Sequence, residues 1–149
     1  MVYNDNLAKR YNAEISSLIA SYFEYRKDKN HFPRELFDQF IESFDIFSLI
    51  VREEDSVLSE EFMTFIRLIS KEFAAFSTVL LTQACYGIYP INRYGSPKQK
   101  SLYLEKLIKG EILAGLGFSE GSLGENLGLI TTTATKTSNG WRLSGKKSI

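Results

Sequence analysis

Three short stretches hold the residue types from which a site could be built. GFSEGSLGEN, residues 117–126, combines three glycines with a serine beside a glutamate. On spacing alone these glycines are more readily turn formers than a phosphate cradle, although the cradle stays open. The longer run GSLGENLG is no dinucleotide fingerprint, because no βαβ unit surrounds it. GWRLSGKK, residues 140–147, approaches the nucleotide-binding pattern G-x-x-x-x-G-K-[ST], but Lys147 replaces the hydroxyl that would hold magnesium. It also lies in a predicted hairpin, where that pattern must lead into a helix. The third stretch, STVLLTQACYGIYP from Ser77, carries the single cysteine, Cys85, in an apolar context with no neighbouring positive charge to stabilise a thiolate. His31 is the only histidine, so a triad or metal cluster built on several histidines is excluded within this chain. It reads as a surface or helix-start residue.

The elements that must position these stretches are mostly helical. The chain has 149 residues, 44% hydrophobic, with 18 basic and 18 acidic side chains, so its formal charge is zero. That length suits one full core, or one core and the start of a second. The neutral balance gives no electrostatic case for nucleic acid or an anionic membrane. A lone cysteine rules out an internal disulfide and suits a reducing compartment. No apolar run nears the roughly 18 residues of a membrane span, and the start lacks a signal-peptide core, so a cytoplasmic protein is expected.

Leu7, Tyr11, Ile15, Leu18, Ile19, Tyr22 and Phe23 fall at helical spacing. Leu36, Phe37, Phe40, Ile41 and Phe44 make a second stripe behind Pro33, which a first helical turn tolerates. After a polar loop at 51–61, with Ser56 or Ser59 as cap, comes the longest helix: Phe62, Phe65, Ile66, Ile69, Phe73, Phe76 and Leu80. It widens to apolar on most sides, which predicts a central position, and Gly87 and Pro90 are expected to loosen or end it. Ser96, Pro97 and Gly110 delimit a further helix. Beyond residue 111 the pattern changes: LITTTATKT is β-branched, and SNG supplies a turn before WRLSGKKSI. The fold class is therefore mainly α, a helical bundle over 1–111 followed by the first strands of a β domain over 112–149. Fewer than forty residues are too few for an independent β domain, so the chain reads as truncated.

The order of NHFPRELFDQF, then YGSPKQKSLYLEKLIKGE, GFSEGSLGEN and NGWRLSGKKSI resembles the acyl-CoA dehydrogenase family. The second stretch is similar to the family's Y-G-[ST]-x-x-Q-K-x-x-Y-L-x-x-[IL]-x-x-G-E. The resemblance implies an N-terminal helical domain and the opening strands of a β-barrel-like middle domain. It implies FAD as cofactor and the oxidation of an acyl thioester, on CoA or an acyl-carrier protein, to its α,β-unsaturated form. An electron-transfer partner or oxygen would take the electrons, and a homo-oligomer is expected of the full-length protein. The family's catalytic glutamate belongs to a C-terminal domain, so no catalytic residue and no metal ligand is assigned to these residues.

Carried over by position, Ser119 stands for the family threonine beside the flavin pyrimidine. Leu116 and Phe118 supply contacts next to the ring, and Gly124 gives close backbone approach. Glu125 replaces a serine expected near the pyrophosphate, and Asn126 replaces an aspartate. A carboxylate beside a diphosphate is repelled by on the order of 1 kcal/mol when wet. Either Glu125 turns outward, or a basic residue pairs with it, or the flavin is held weakly or not at all. The last case would make the chain a non-catalytic relative that serves in binding or oligomer contacts. Ile149 falls where the family often has an aromatic on the flavin. Thr78, Leu81, Thr82 and Cys85, on the second half of the long helix, are expected to line the acyl pocket, with bundle core as the equal alternative for each.

Overall fold

The computed structural model of the chain describes residues 5–25, 31–52, 59–121 and 127–148. They fall into two compact units, Met1–Gly115 and Leu116–Ile149. The first is helical and the second carries an antiparallel strand pair, so the chain is mainly α with β structure at its C-terminal side, as the sequence predicts.

In the first unit, α1 (Asp5–Tyr25) and α2 (Arg34–Phe44) pack on the long α4 (Glu60–Thr82), with the single turn α3 (Leu49–Arg52) between α2 and α4. The apolar stripes read from the sequence are the faces that bury. Ile15, Ile19 and Tyr22 of α1, Leu36, Phe37 and Phe40 of α2, and Phe62, Phe65, Ile69, Phe76 and Leu80 of α4 form one core. Rings join the helices: Tyr11 lies 4.5 Å from Phe65, and Phe40 meets Phe76 edge-on at 5.1 Å. A polar tie adds to this, the Tyr11 hydroxyl donating to Glu61 at 3.0 Å. Of the two candidate caps for α4, Ser59 accepts from the Phe62 N–H at 3.1 Å; Ser56 and the rest of 53–58 lie outside the described residues, as does the side chain of Leu7.

α4 is interrupted at Phe73, whose φ of −145° and ψ of 78° leave the helical region. Neither proline nor glycine is near. Ser70 and Ser77, on either side of the break, bond one another at 2.9 Å, and Ser77 also donates to the Ala74 carbonyl. Hydroxyls therefore take up part of the hydrogen bonding that the broken ladder gives up. The Phe73 ring packs against Phe23 at 4.9 Å, which fixes the kink against α1.

The sequence predicts that Gly87 and Pro90 loosen or end this helix. It loosens into a π-helical stretch, Gln83–Ile88, that spans Gly87, but it does not end there and continues into α5 (Tyr89–Tyr94). The Tyr89 N–H reaches the Ala84 carbonyl five residues back, so the ladder has already shifted its register where Pro90 brings no N–H. The helical run 97–108 begins at α6 (Pro97–Gln99) with a full capping box: Ser96 Oγ accepts from the Gln99 N–H, and the Gln99 side chain accepts from the Ser96 N–H. It passes through a second π-helical stretch (Lys100–Leu104) to α7 (Glu105–Ile108) and stops at Gly110, whose φ is +68°. A Cβ there would lie 2.4 Å from Ile41 Cδ1 and 2.7 Å from Phe37 Cε1, so conformation and space both require glycine. Arg34 donates to the Gly110 carbonyl at 2.9 Å and ties the start of α2 to this turn.

In the second unit β1 (Thr133–Thr137) pairs with β2 (Gly140–Ser144), with Ala134 opposite Leu143 and Lys136 opposite Trp141. The turn carries its positive φ on Gly140, at 136°, and not on Ser138 or Asn139. Both strands are exposed along their length, including Trp141 and Leu143. Among the described residues no helix is long and apolar enough to cross a membrane.

Candidate functional site

The last turn of α4 and the π-helical stretch after it form one wall of an apolar groove in the first unit. Thr78, Val79, Thr82 and Gln83 recur at helical spacing, so they share a face. Leu113 and Ala114, from the segment after Gly110, supply a second wall, and Phe32 joins from the segment before α2. The volume is about 220 Å³. Sites for whole small molecules run from roughly 300 to 1,000 Å³, so this groove suits a short apolar group rather than an entire cofactor.

Its lining is less polar than its composition suggests. Thr78 Oγ1 donates to the Ala74 carbonyl at 3.2 Å and Thr82 Oγ1 to the Thr78 carbonyl at 2.9 Å. With the hydroxyls turned onto the helix backbone, the methyl groups are left to meet a ligand. Gln83 is buried, and its amide bonds three backbone groups of 107–114. A second apolar recess of about 210 Å³ shares Leu113 and Ala114 with the groove and is otherwise built around Tyr86, Gly87 and Tyr103.

The four helix residues expected around an acyl group therefore separate. Thr78 and Thr82 come together in the groove. Leu81 packs half-buried against the helical core. Cys85 lies half-buried in the π-helical stretch and lines neither recess. Burial pushes its thiol pKa up, which disfavours the thiolate. Val79 and Gln83 lay within reach of sequence reasoning, one residue beyond Thr78 and Thr82 on the same helix face. Leu113, Ala114 and Phe32 had no local signal, since only the tertiary path brings them to α4.

In the second unit Leu116 and Phe118 are exposed and Ser119 is half-buried. Gly124, Glu125 and Ile149 lie outside the described residues, as does Asn126. The residue that organises this segment is Glu120, the glutamate beside Ser119, to which the sequence assigns no role. It is 5% exposed. Its carboxylate accepts from the Thr131 N–H at 2.7 Å, the Thr131 hydroxyl at 2.6 Å, the Thr132 N–H at 3.0 Å and Lys147 Nζ at 2.8 Å. The Lys147 ammonium, followed by the threonine donors, holds this carboxyl far below the usual carboxylate range. Lys147 also reaches the Phe118 carbonyl at 3.3 Å. The Ser148 N–H donates to the Ser119 carbonyl at 2.9 Å, and Ser148 Oγ accepts from the Gly121 N–H at 2.8 Å. The backbone at 118–121 is thus fixed from two sides, beside the exposed side chains of Leu116 and Phe118. Among the described residues no group of three or more His, Cys, Asp and Glu is placed to hold a metal ion.

The family profile described as "Acyl-CoA dehydrogenase, N-terminal domain" matches residues 5–111. Over 122 residues the chain is 30% identical to mitochondrial isovaleryl-CoA dehydrogenase from Oryza sativa subsp. japonica, covering 79% of this chain and 30% of that protein. It is 25% identical over 139 residues to glutaryl-CoA dehydrogenase from Desulfococcus multivorans, covering 89% of this chain and 36% of that one. A shorter match, 32% identical over 68 residues, is to L-prolyl-[peptidyl-carrier protein] dehydrogenase from a Serratia species, covering 46% of this chain and 18% of that protein. The chain spans about a third of the length of the first two relatives. With its helical core, its groove beside α4 and a family match over most of its length, the chain belongs to the acyl-CoA dehydrogenase family.

Proposed function

We propose that this chain is the N-terminal part of an FAD-dependent dehydrogenase that oxidises an acyl thioester to the α,β-unsaturated thioester. In this reading 1–111 is the helical domain and 112–149 opens the middle β domain. The observation that carries the proposal is the apolar groove along Thr78, Thr82 and Leu113 in a domain of this family. Its size suits an acyl group and leaves no room for the carrier, which is in keeping with relatives named for acyl-CoA and for carrier-protein substrates.

The chemistry divides by residue. The groove removes the acyl chain from water and fixes its direction, which limits the positions its α and β carbons can take. Thr78 and Thr82 contribute packing there, since their hydroxyls are spent on the helix. Leu116, Phe118 and Ser119 would lie against the flavin ring, and Gly124 and Glu125 near its phosphates. The flavin, when bound, supplies the hydride acceptor. A partner protein or oxygen would take up the electrons, and a cytoplasmic location and a homo-oligomer of the full-length protein belong to the same reading.

The test is the visible spectrum of the gene product that carries this chain, purified and then mixed anaerobically with acyl thioesters. A yellow protein that bleaches with substrate is the expected result. A folded, colourless protein indifferent to added FAD overturns the proposal and favours the non-catalytic relative that Glu125 already suggests.

A further inference from the structure

Gln83 is an amide among apolar neighbours, 2% exposed, in the π-helical stretch behind Thr82. Both of its N–H donors and its oxygen are engaged. Nε2 donates to the carbonyls of Leu107 at 2.9 Å and Ile112 at 3.0 Å, while Oε1 accepts from the Ala114 N–H at 2.9 Å. These three partners straddle the Gly110 turn. Two of them flank Leu113, so the side-chain amide pairs with that segment as a neighbouring strand would. One helical turn further on, a Cβ at Gly87 would lie 2.8 Å from the Ala114 Cβ, so the same ledge also rests directly on the helix. Leu113 and Ala114 are what the ledge contributes to the groove.

We infer that Gln83 is a specificity-determining positioning residue: by clamping Leu113 and Ala114 at a fixed distance from Thr78 and Thr82, it sets the width of the groove and hence the acyl groups that enter. This inference rests on the acyl-thioester reading of the groove. Gln83 acts through the ledge, because all its polar groups are spent on backbone. Releasing it frees two carbonyls and an N–H that the ledge must then satisfy elsewhere, which moves Leu113.

The test substitutes Gln83→Met, similar in length but unable to donate or to accept strongly, in the gene product that carries this chain. Affinities for short branched and long straight acyl-CoA esters are measured by calorimetry, alongside hydrogen exchange at the Ala114 amide. The ratio of the two affinities is expected to shift by about tenfold or more, the scale on which pockets discriminate methylenes, with faster exchange at Ala114. Gly87→Ala leaves the amide intact but displaces the ledge, and is expected to shift the same ratio. If Gln83→Met does not fold, Gln83→Asn, one methylene too short to hold all three partners, replaces it with the same two readouts. An unmoved ratio in each folded variant, or a shift in Gln83→Met without faster exchange at Ala114, overturns the role of Gln83. Wild-type protein that binds no acyl thioester sinks the reading beneath it as well. Wild-type protein that binds but does not oxidise them leaves the affinity ratio to decide on Gln83 alone.

Discussion

Glu120 shows how much one side chain can organise. A carboxylate with four donors around it is stabilised in its charged form, so its proton affinity in the folded chain is far below the ordinary value near 4.5. A depressed folded pKa means that the contribution is present above the unfolded value and is lost only as pH falls through the folded one. Protection of the Thr131 and Thr132 amides is therefore expected to persist through pH 4.5 and to fail well below it, as followed by NMR hydrogen exchange. Glu120→Gln removes the charge that holds Lys147 and turns N–H donors of its own toward other donors. It is expected to lower that protection at neutral pH and to abolish its acid dependence, and unchanged protection would refute this account. Gly110 makes the complementary point about space. Gly110→Ala combines a left-handed conformation with a collision against Ile41 and Phe37, and is expected to cost about 2–5 kcal/mol, read by urea unfolding.

At the scale of elements, the path from α4 to α5 determines the groove. The break at Phe73 and the widened turn at Gln83–Ile88 both change which side chains face which way. Cys85 lies within the π-helical stretch, where the widened turn departs from α-helical spacing, and it does not continue the line of Thr78 and Thr82 into the groove. Ser59 begins this path by accepting from the Phe62 N–H. Ser59→Ala is expected to cost about 1 kcal/mol, within the usual range for a lost N-cap, with the denaturant slope unchanged. Phe76, wholly buried between Phe40 and Phe73, is a larger loss: Phe76→Ala is expected to cost roughly 3–5 kcal/mol. If Phe76→Ala cost less than Ser59→Ala, the core described here would be wrong.

At the scale of the whole molecule the two units differ in how they are held. The first encloses a core of aromatic and aliphatic side chains drawn from every long helix. The second has its strand pair exposed on both faces and depends on the Glu120 and Lys147 network. A two-stranded hairpin is marginal in water by itself. In the 149-residue chain, amides of 133–144 are therefore expected to exchange much faster than those of 62–69 in α4. The same chain is expected to show no turnover and little flavin retention, because the assigned flavin contacts are confined to 116–125 and Ile149. Stoichiometric FAD binding by residues 1–149, measured by dialysis and absorbance, would contradict that.

The sequence by itself determined the long helices, their buried faces, the cap at Ser96, the stop at Gly110 and the hairpin, but not the short α3, part of which it placed in a loop. Periodicity, capping chemistry and glycine conformation act over a few residues and are written locally. An ordered set of motifs from YGSPKQKSLYLEKLIKGE onward also made the family legible. The groove was legible only in half, through Thr78 and Thr82, because its other wall arrives from thirty residues away. The π-helical stretch that leads into α5 and past Pro90, the clamp by Gln83 and the burial of Glu120 were decided by tertiary structure. Each depends on backbone donors and carbonyls brought together by packing, and no local pattern of residue types records which distant backbone group a side chain will meet.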